Sequence, residues 1–210
     1  MMTIEPSYHS SDLTAINTFY GRFGKPMMDR AGGFVLLVFA SPLLLITAAA
    51  VTLSSPGPVL YRQVRLGRHR RPFYIYKFRS MVVQNDDPAK QAYLDDPRIT
   101  RVGRLIRRVK LDELPQIWHV LTGDMSLVGP RPTLPEQMQN CTPSQLIRYE
   151  VLPGLTGWAQ VNGNVLLSVY DRREHDVYYV KHLSLLFDLR ILLMTIAVVL
   201  FGEKVKGRAW

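Results

Sequence analysis

One stretch limits the fold of this chain more than any other: the uncharged apolar run GGFVLLVFASPLLLITAAAVTL, from Gly32 to Leu53. Its length suits a transmembrane helix. Ser41-Pro42 sits near its middle, where proline removes a helix hydrogen bond and bends the axis. The Ser41 hydroxyl can satisfy a carbonyl freed there. Cations flank both ends: Arg22, Lys25 and Arg30 before, Arg62, Arg65, Arg68, Arg70 and Arg71 after. Positive charge marks the cytoplasmic side. The pattern therefore favours a helix that enters, bends and returns to one face, with a simple span as the alternative. A cleaved signal peptide is disfavoured by the long region before the run and the dense arginines after it.

The remainder must be read against a net charge of +9, which asks for an anionic partner: nucleic acid, acidic lipid or phosphorylated substrate. Cys141 is the single cysteine, so no internal disulfide forms, and no His/Cys cluster has zinc spacing. Any metal is expected to be a hard cation held by oxygens.

Leu111-Asp112-Glu113-Leu114-Pro115-Gln116 is where the chemistry concentrates. Two carboxylates stand together at the expected start of a helix running through Ile117, Trp118, Val120 and Leu121. Helix capping alone would account for Asp, Glu and Pro there. Their surroundings add to that. A basic segment precedes them (Arg101, Arg104, Arg107, Arg108, Lys110), and the rigid loop from Gly123 to Pro132 follows, with Arg131 near its end. Acids between cations suit phosphate-ester chemistry: the cations hold the anion, and a carboxylate attacks phosphorus or holds a divalent metal.

Val59-Leu60-Tyr61 and Phe73-Tyr74-Ile75-Tyr76 read as short strands. In Lys77-Phe78-Arg79-Ser80-Met81 the alternation puts Lys77 and Arg79 on one strand face, a solvated edge being the plainer explanation. Residues 84–97 read as a surface loop with a short helix, containing Asp86, Asp87, Asp95 and Asp96. They lack the glycine and terminal Glu of a calcium loop. Ile99 to Val109 has helical apolar spacing, with Arg104, Arg107 and Arg108 as a basic stripe. Pro135 to Tyr149 reads as a broken helix, and Val169 to Val180 as an amphipathic one. The glycines between Pro153 and Gly163 fit either close approach to a ligand or simple turns. Leu183 to Phe201 is expected to be an interfacial or core helix, followed by Lys204, Lys206 and Arg208 near lipid phosphates. The expected organisation is an arm (1–25), a re-entrant helix (26–55), a catalytic core (56–182) and a membrane-associated C-terminal segment (183–210).

Five motifs in order carry a resemblance: the apolar run with central Ser-Pro, Tyr76 to Met81, Leu111 to Gln116, Gly123 to Pro132, and Pro153-Gly154-Leu155-Thr156-Gly157-Trp158-Ala159-Gln160-Val161-Asn162-Gly163. Together, over residues 26–200, the chain resembles the bacterial sugar transferases, the monotopic phosphoglycosyl transferases. The resemblance implies a small mixed α/β core on the cytoplasmic face of the bacterial inner membrane, anchored by a re-entrant helix hairpin and amphipathic interfacial helices. It implies transfer of a sugar-1-phosphate from a UDP-sugar to polyprenyl (undecaprenyl) phosphate, at the start of exopolysaccharide, O-antigen, capsule or glycoconjugate assembly. Asp112 matches the nucleophile, Glu113 the metal-associated carboxylate, and Mg²⁺ is the implied cofactor. Lys77, Arg107 and Arg131 match phosphate-holding positions, and Arg79 joins them by its place beside Lys77. Ser41 and Pro42 match the membrane bend. A helix N-terminus and nearby cations are expected to favour ionised Asp112. Asn164 stands where the family commonly has arginine, and the extra transmembrane helices of larger relatives are absent, the pattern of a minimal catalytic form. Membrane lipids are expected partners and nucleic acid is not, since no groove-reading motif is present. A membrane scaffold without activity would have no need of Asp112, Glu113 and Arg131 together. A homodimer is compatible with the sequence, which leaves the oligomeric state open.

Overall fold

The computed structural model describes residues 8–82 and 96–201. Asp86, Asp87, Asp95, Lys204, Lys206 and Arg208 lie outside the described residues.

The apolar run forms most of α1 (Lys25–Ser54), a helix of 30 residues that continues through Pro42. At 1.5 Å per residue it extends about 45 Å if straight. Ser41 Oγ donates to the Val38 carbonyl at 2.8 Å, next to the position where proline offers no N–H. A single stripe is buried, comprising Lys25, Asp29, Gly33, Ala40, Thr47 and Val51. The other faces leave Phe34, Phe39, Leu45, Ile46 and Leu53 exposed. With the turn before it, this helix is long and apolar enough to cross a membrane.

Both ends of α1 dock on the core. Near its start, Gly33 lies against Val120 and Leu121, and the Asp29 carboxylate accepts the Leu127 backbone N–H at 3.0 Å. Near its end, Val51 packs with Phe78 and Ile106.

After α1 the chain turns into an antiparallel hairpin, β1 (Leu60–Leu66) with β2 (Pro72–Phe78), pairing Arg65 with Phe73, Gln63 with Ile75 and Tyr61 with Lys77. Alternation then puts Tyr61, Gln63 and Arg65 on the same face as Ile75 and Lys77. α2 (Arg101–Arg108) starts at Thr100, whose hydroxyl accepts from the Gly103 N–H at 2.8 Å. A 3₁₀ segment, Leu111–Gln116, runs directly into α3 (Ile117–Thr122), which stops at Gly123 in the left-handed region, φ 87°.

β3 (Ser126–Val128) pairs in parallel with β4 (Gly154–Thr156). Between them lie α4 (Pro135–Met138) and a 3₁₀ segment, Ser144–Glu150, so the region read as a broken helix is indeed two pieces. α5 (Trp158–Val161), α6 (Val169–Lys181) and α7 (Leu185–Phe201) complete the chain. The main core gathers Val120, Met125, Val128, Ile147, Tyr179, Val180 and Ile191. The result is a mostly helical α/β core carrying one long apolar helix. α7 turns Asp188 and Ile191 inward and leaves Leu186, Leu193, Leu200 and Phe201 exposed.

A buried polar junction ties α1 to α7. Asp188 is fully buried and accepts from Lys25 Nζ at 2.7 Å, Tyr20 Oη at 2.6 Å and Tyr179 Oη at 2.8 Å. Local patterning does not reveal this junction, because its members lie far apart in the chain.

Candidate active site

Three elements bring the central charges together. β2 supplies Lys77, the 3₁₀ segment supplies Asp112 and Glu113, and the loop after β3 supplies Arg131. Lys77 Nζ donates to Glu113 Oε1 at 2.6 Å, and Arg131 Nη2 donates to the same oxygen at 2.5 Å. Burial opposes ionisation of Glu113, but Arg131 and Lys77 outweigh it and hold the carboxyl far below the usual range. Lys77 is also held below its ordinary value: burial lowers it, Glu113 counters only in part, and Arg131 adds to the lowering.

Asp112 sits beside this cluster, half-buried, and its carboxylate meets its own backbone N–H but forms no ion pair with the cations among the described residues. Burial and the Glu113 charge raise its pKa, while Lys77 and Arg107 pull it down and do not fully compensate. This corrects the expectation that a helix N-terminus and cations would dominate. The helical segment is a short 3₁₀ piece led by Lys110 in the left-handed region, so Asp112 is not its cap. An unpaired carboxylate at raised pKa is a better nucleophile than one locked in ion pairs.

Arg107 is oriented through α2. Its Nε donates to Ser80 Oγ at 2.7 Å. The Ser80 carbonyl lies so close to Gly103 that a Cβ there would be 1.9 Å from the oxygen. Glycine is what allows α2 to approach the end of the hairpin and present Arg107. Within the basic stripe Arg107 is half-buried, whereas Arg104 and Arg108 are exposed.

Arg79 is not part of the site. The strand ends at Phe78, and Arg79 turns beneath it, 5 % exposed. Its guanidinium donates to the carbonyls of Val51, Ser55 and Pro58. Those carbonyls lie in the last turn of α1 and just beyond it, where helix acceptors lack partners and the dipole favours a cation. The phosphate-binding role expected for Arg79 is therefore replaced by a structural one. Ser41 and Pro42 lie mid-way along α1, on its exposed side, apart from this cluster.

The Arg131 loop is fixed by backbone pairing. Gly129 N donates to Thr156 O at 2.8 Å and Gly154 N to Pro130 O at 2.9 Å. A Cβ on Gly154 would lie 2.1 Å from Gly129 N, so this glycine serves close strand approach and not a ligand. Behind the loop, Arg148 Nη2 donates to the Arg131 carbonyl at 3.0 Å and pairs with buried Asp176 at 2.6 Å.

A small cleft beside the cluster is lined by Arg65, Ile75, Lys77, Glu113, Gln116, Arg131, Pro132, Gly154 and Leu155. The sequence places Arg65 among the membrane-flanking cations; the strand register instead aims it with Lys77 into this cleft. Strand parity carried that signal, but only with the hairpin register in hand. No group of three His, Cys, Asp or Glu gathers among the described residues. The carboxylate of Glu113 nonetheless suits a hard divalent ion, because magnesium is held by one or two carboxylates together with substrate phosphates. Glu113 Oε2 has only a long contact, 3.4 Å from Arg131, and keeps acceptor capacity.

A cation-rich cleft beside an unpaired carboxylate fits phosphoryl chemistry, and sequence comparison agrees. The profile described as bacterial sugar transferase matches residues 20–202. The chain is 43% identical over 182 residues to an uncharacterized sugar transferase, EpsL, of Bacillus subtilis (strain 168), covering 87% of this chain and 90% of that one. It is 45% identical over 183 residues to the UDP-glucose:undecaprenyl-phosphate glucose-1-phosphate transferase of Escherichia coli (strain K12), covering 81% of this chain and 39% of that one. A UDP-N-acetylgalactosamine-undecaprenyl-phosphate N-acetylgalactosaminephosphotransferase of Aeromonas hydrophila is 44% identical over 187 residues, covering 86% of this chain and 44% of its own. The chain thus spans most of the first relative and about two-fifths of the other two. With the profile matched over nearly its whole length, the chain belongs to the bacterial sugar transferase family.

Proposed function

We propose that the protein is a membrane-bound phosphoglycosyl transferase that moves a sugar-1-phosphate from a UDP-sugar to a polyprenyl phosphate such as undecaprenyl phosphate. The observation that carries this reading is the Lys77–Glu113–Arg131 cluster with unpaired Asp112 beside it. The substrates named for the Escherichia coli and Aeromonas hydrophila relatives are of this class.

In the first half-reaction an Asp112 carboxylate oxygen attacks the β-phosphorus of the donor. The bond from that phosphorus to the bridging oxygen breaks, and UMP departs with the electron pair. In the second, a lipid-phosphate oxygen attacks the same phosphorus and Asp112 regains its carboxylate. Lys77, Arg107 and Arg131 hold the phosphates and offset the charge that builds up on them. Glu113, through its less engaged Oε2, would hold a magnesium ion, which would supply further neutralisation of the transferred phosphoryl group when bound.

The membrane arrangement we propose is monotopic, on the cytoplasmic face of the bacterial inner membrane, with α1 entering and returning at Ser41-Pro42 and α7 lying at the interface. Support comes from the docking of both ends of α1 on one folded core. A span would separate those ends by about 30 Å of hydrocarbon. The exposed apolar middle of α1 and the outer face of α7 then enter lipid together.

The test is UMP release from a panel of UDP-sugars by purified protein with undecaprenyl phosphate and Mg²⁺. Release by the wild type and its loss in Asp112→Asn, with a phosphosugar adduct mapped to Asp112, is the expected outcome. Normal turnover by Asp112→Asn, or an adduct on another residue, overturns the mechanism.

A further inference from the structure

The cleft contains a cation that the proposed chemistry has not yet used. Arg65 projects from β1 into it beside Arg131 and Glu113. Its guanidinium meets only neutral acceptors, Gln63 Oε1 at 2.7 Å and the Pro132 carbonyl at 3.3 Å. Its Nε is buried and has no hydrogen-bond partner. No carboxylate among the described residues lies within ion-pair distance of it. Arg65 as a whole is half-buried, and a charge partly withdrawn from water without a close counter-ion is costly, so proteins keep one where something else neutralises it. Around the cleft, Arg65, Lys77 and Arg131 face the single carboxylate Glu113, so the lining carries excess positive charge. Burial and the neighbouring Arg131 accordingly push Arg65 down to about 10.

The position selects the ligand. The cleft is lined by Arg65, Lys77, Glu113 and Arg131 but not by Asp112, which adjoins it only through its chain neighbour Glu113. Arg65 thus faces the interior of the cleft, apart from the Asp112 carboxylate. If Asp112 takes the β-phosphorus, the other phosphate of the donor falls on the Arg65 side. From this geometry we infer that Arg65, with Arg131, binds the phosphate of the departing nucleoside monophosphate. The inference rests on the phosphoglycosyl transferase reading and adds a substrate-contacting residue to it. A guanidinium is suited to the role, because its planar fork matches two phosphate oxygens.

The experiment compares inhibition by UMP and by uridine, which differ only in the phosphate, during UDP-sugar turnover. Arg65→Gln keeps a donor for the Pro132 carbonyl and removes the charge. It should weaken UMP inhibition about 10- to 100-fold, the range for one charge-assisted hydrogen bond, and leave uridine inhibition and the polyprenyl-phosphate KM unchanged. Arg65→Lys should restore much of the UMP preference and serves as the readout if Arg65→Gln does not fold: it should lie between wild type and loss. A UMP-to-uridine ratio equal to wild type in either variant overturns the inference, as does a rise confined to the polyprenyl-phosphate KM. Equal weakening of UMP and uridine also overturns it, since a structural role would produce that. If the wild type itself releases no UMP from any UDP-sugar, the parent reading has failed and the inference falls with it.

Discussion

Replacing Asp188 with alanine should loosen the membrane helix from the core. Asp188 is fully buried and is the close carboxylate for Lys25, at 2.7 Å; Asp29 lies 3.9 Å from the same ammonium. Removing one partner of such a buried pair costs about 3–5 kcal/mol, because a charge is left without compensation. Tyr20 Oη also loses its acceptor at 2.6 Å and keeps only a Met28 sulfur contact, which adds about 1 kcal/mol. Tyr179 is less affected, since the Val128 carbonyl lies 3.0 Å from its hydroxyl. The sum is about 4–6 kcal/mol, or a fall in Tm of roughly 10–20 °C for a chain of this size. Thermal melting in detergent micelles measures it. The double variant Lys25→Met with Asp188→Leu should recover at least half of the loss, because an apolar pair can replace a buried ion pair at little cost. A Tm for Asp188→Ala within about 2 °C of wild type, or a double variant no better than the single one, would refute the reasoning.

Arg79→Met should strip the end of α1 of its donor and lower stability by about 2–4 kcal/mol, read by the same melt, with the UDP-sugar KM within about twofold. A large rise in KM without loss of Tm would instead make Arg79 a phosphate ligand. Arg107→Met should raise the pKa of Asp112, because Arg107 is one of the cations holding it down against burial and Glu113. The ionised nucleophile is then lost at higher pH, so the acid limb of kcat/KM moves upward; an unmoved limb would show that Arg107 does not act on Asp112. Cysteines introduced at Glu5 and Arg70 should be labelled from the same side of sealed vesicles, since Cys141 is buried and silent; labelling from opposite sides would establish a span.

The sequence by itself determined what local chemistry can specify. An uncharged run of this length forms a helix whatever surrounds it. Adjacent Asp112 and Glu113 need no folding to be neighbours, and Gly123 stops α3 through its own backbone freedom. Only the tertiary structure decided which cations belong to the site. Alternation along one strand paired Lys77 with Arg79, yet Arg79 satisfies carbonyls at the end of a distant helix, and Arg65 enters the cleft through the register of a hairpin. The parallel pairing of β3 with β4 is illegible locally because three-residue strands show no period, and Gly154, whose sequence context fits either ligand approach or a turn, is there for close backbone contact. The Lys25–Asp188 junction was equally hidden: a charge inside an apolar helix reads as an interruption until its partner, far away in the chain, folds against it. Long-range contacts select among residues of identical local chemistry, and that selection is made by packing and desolvation.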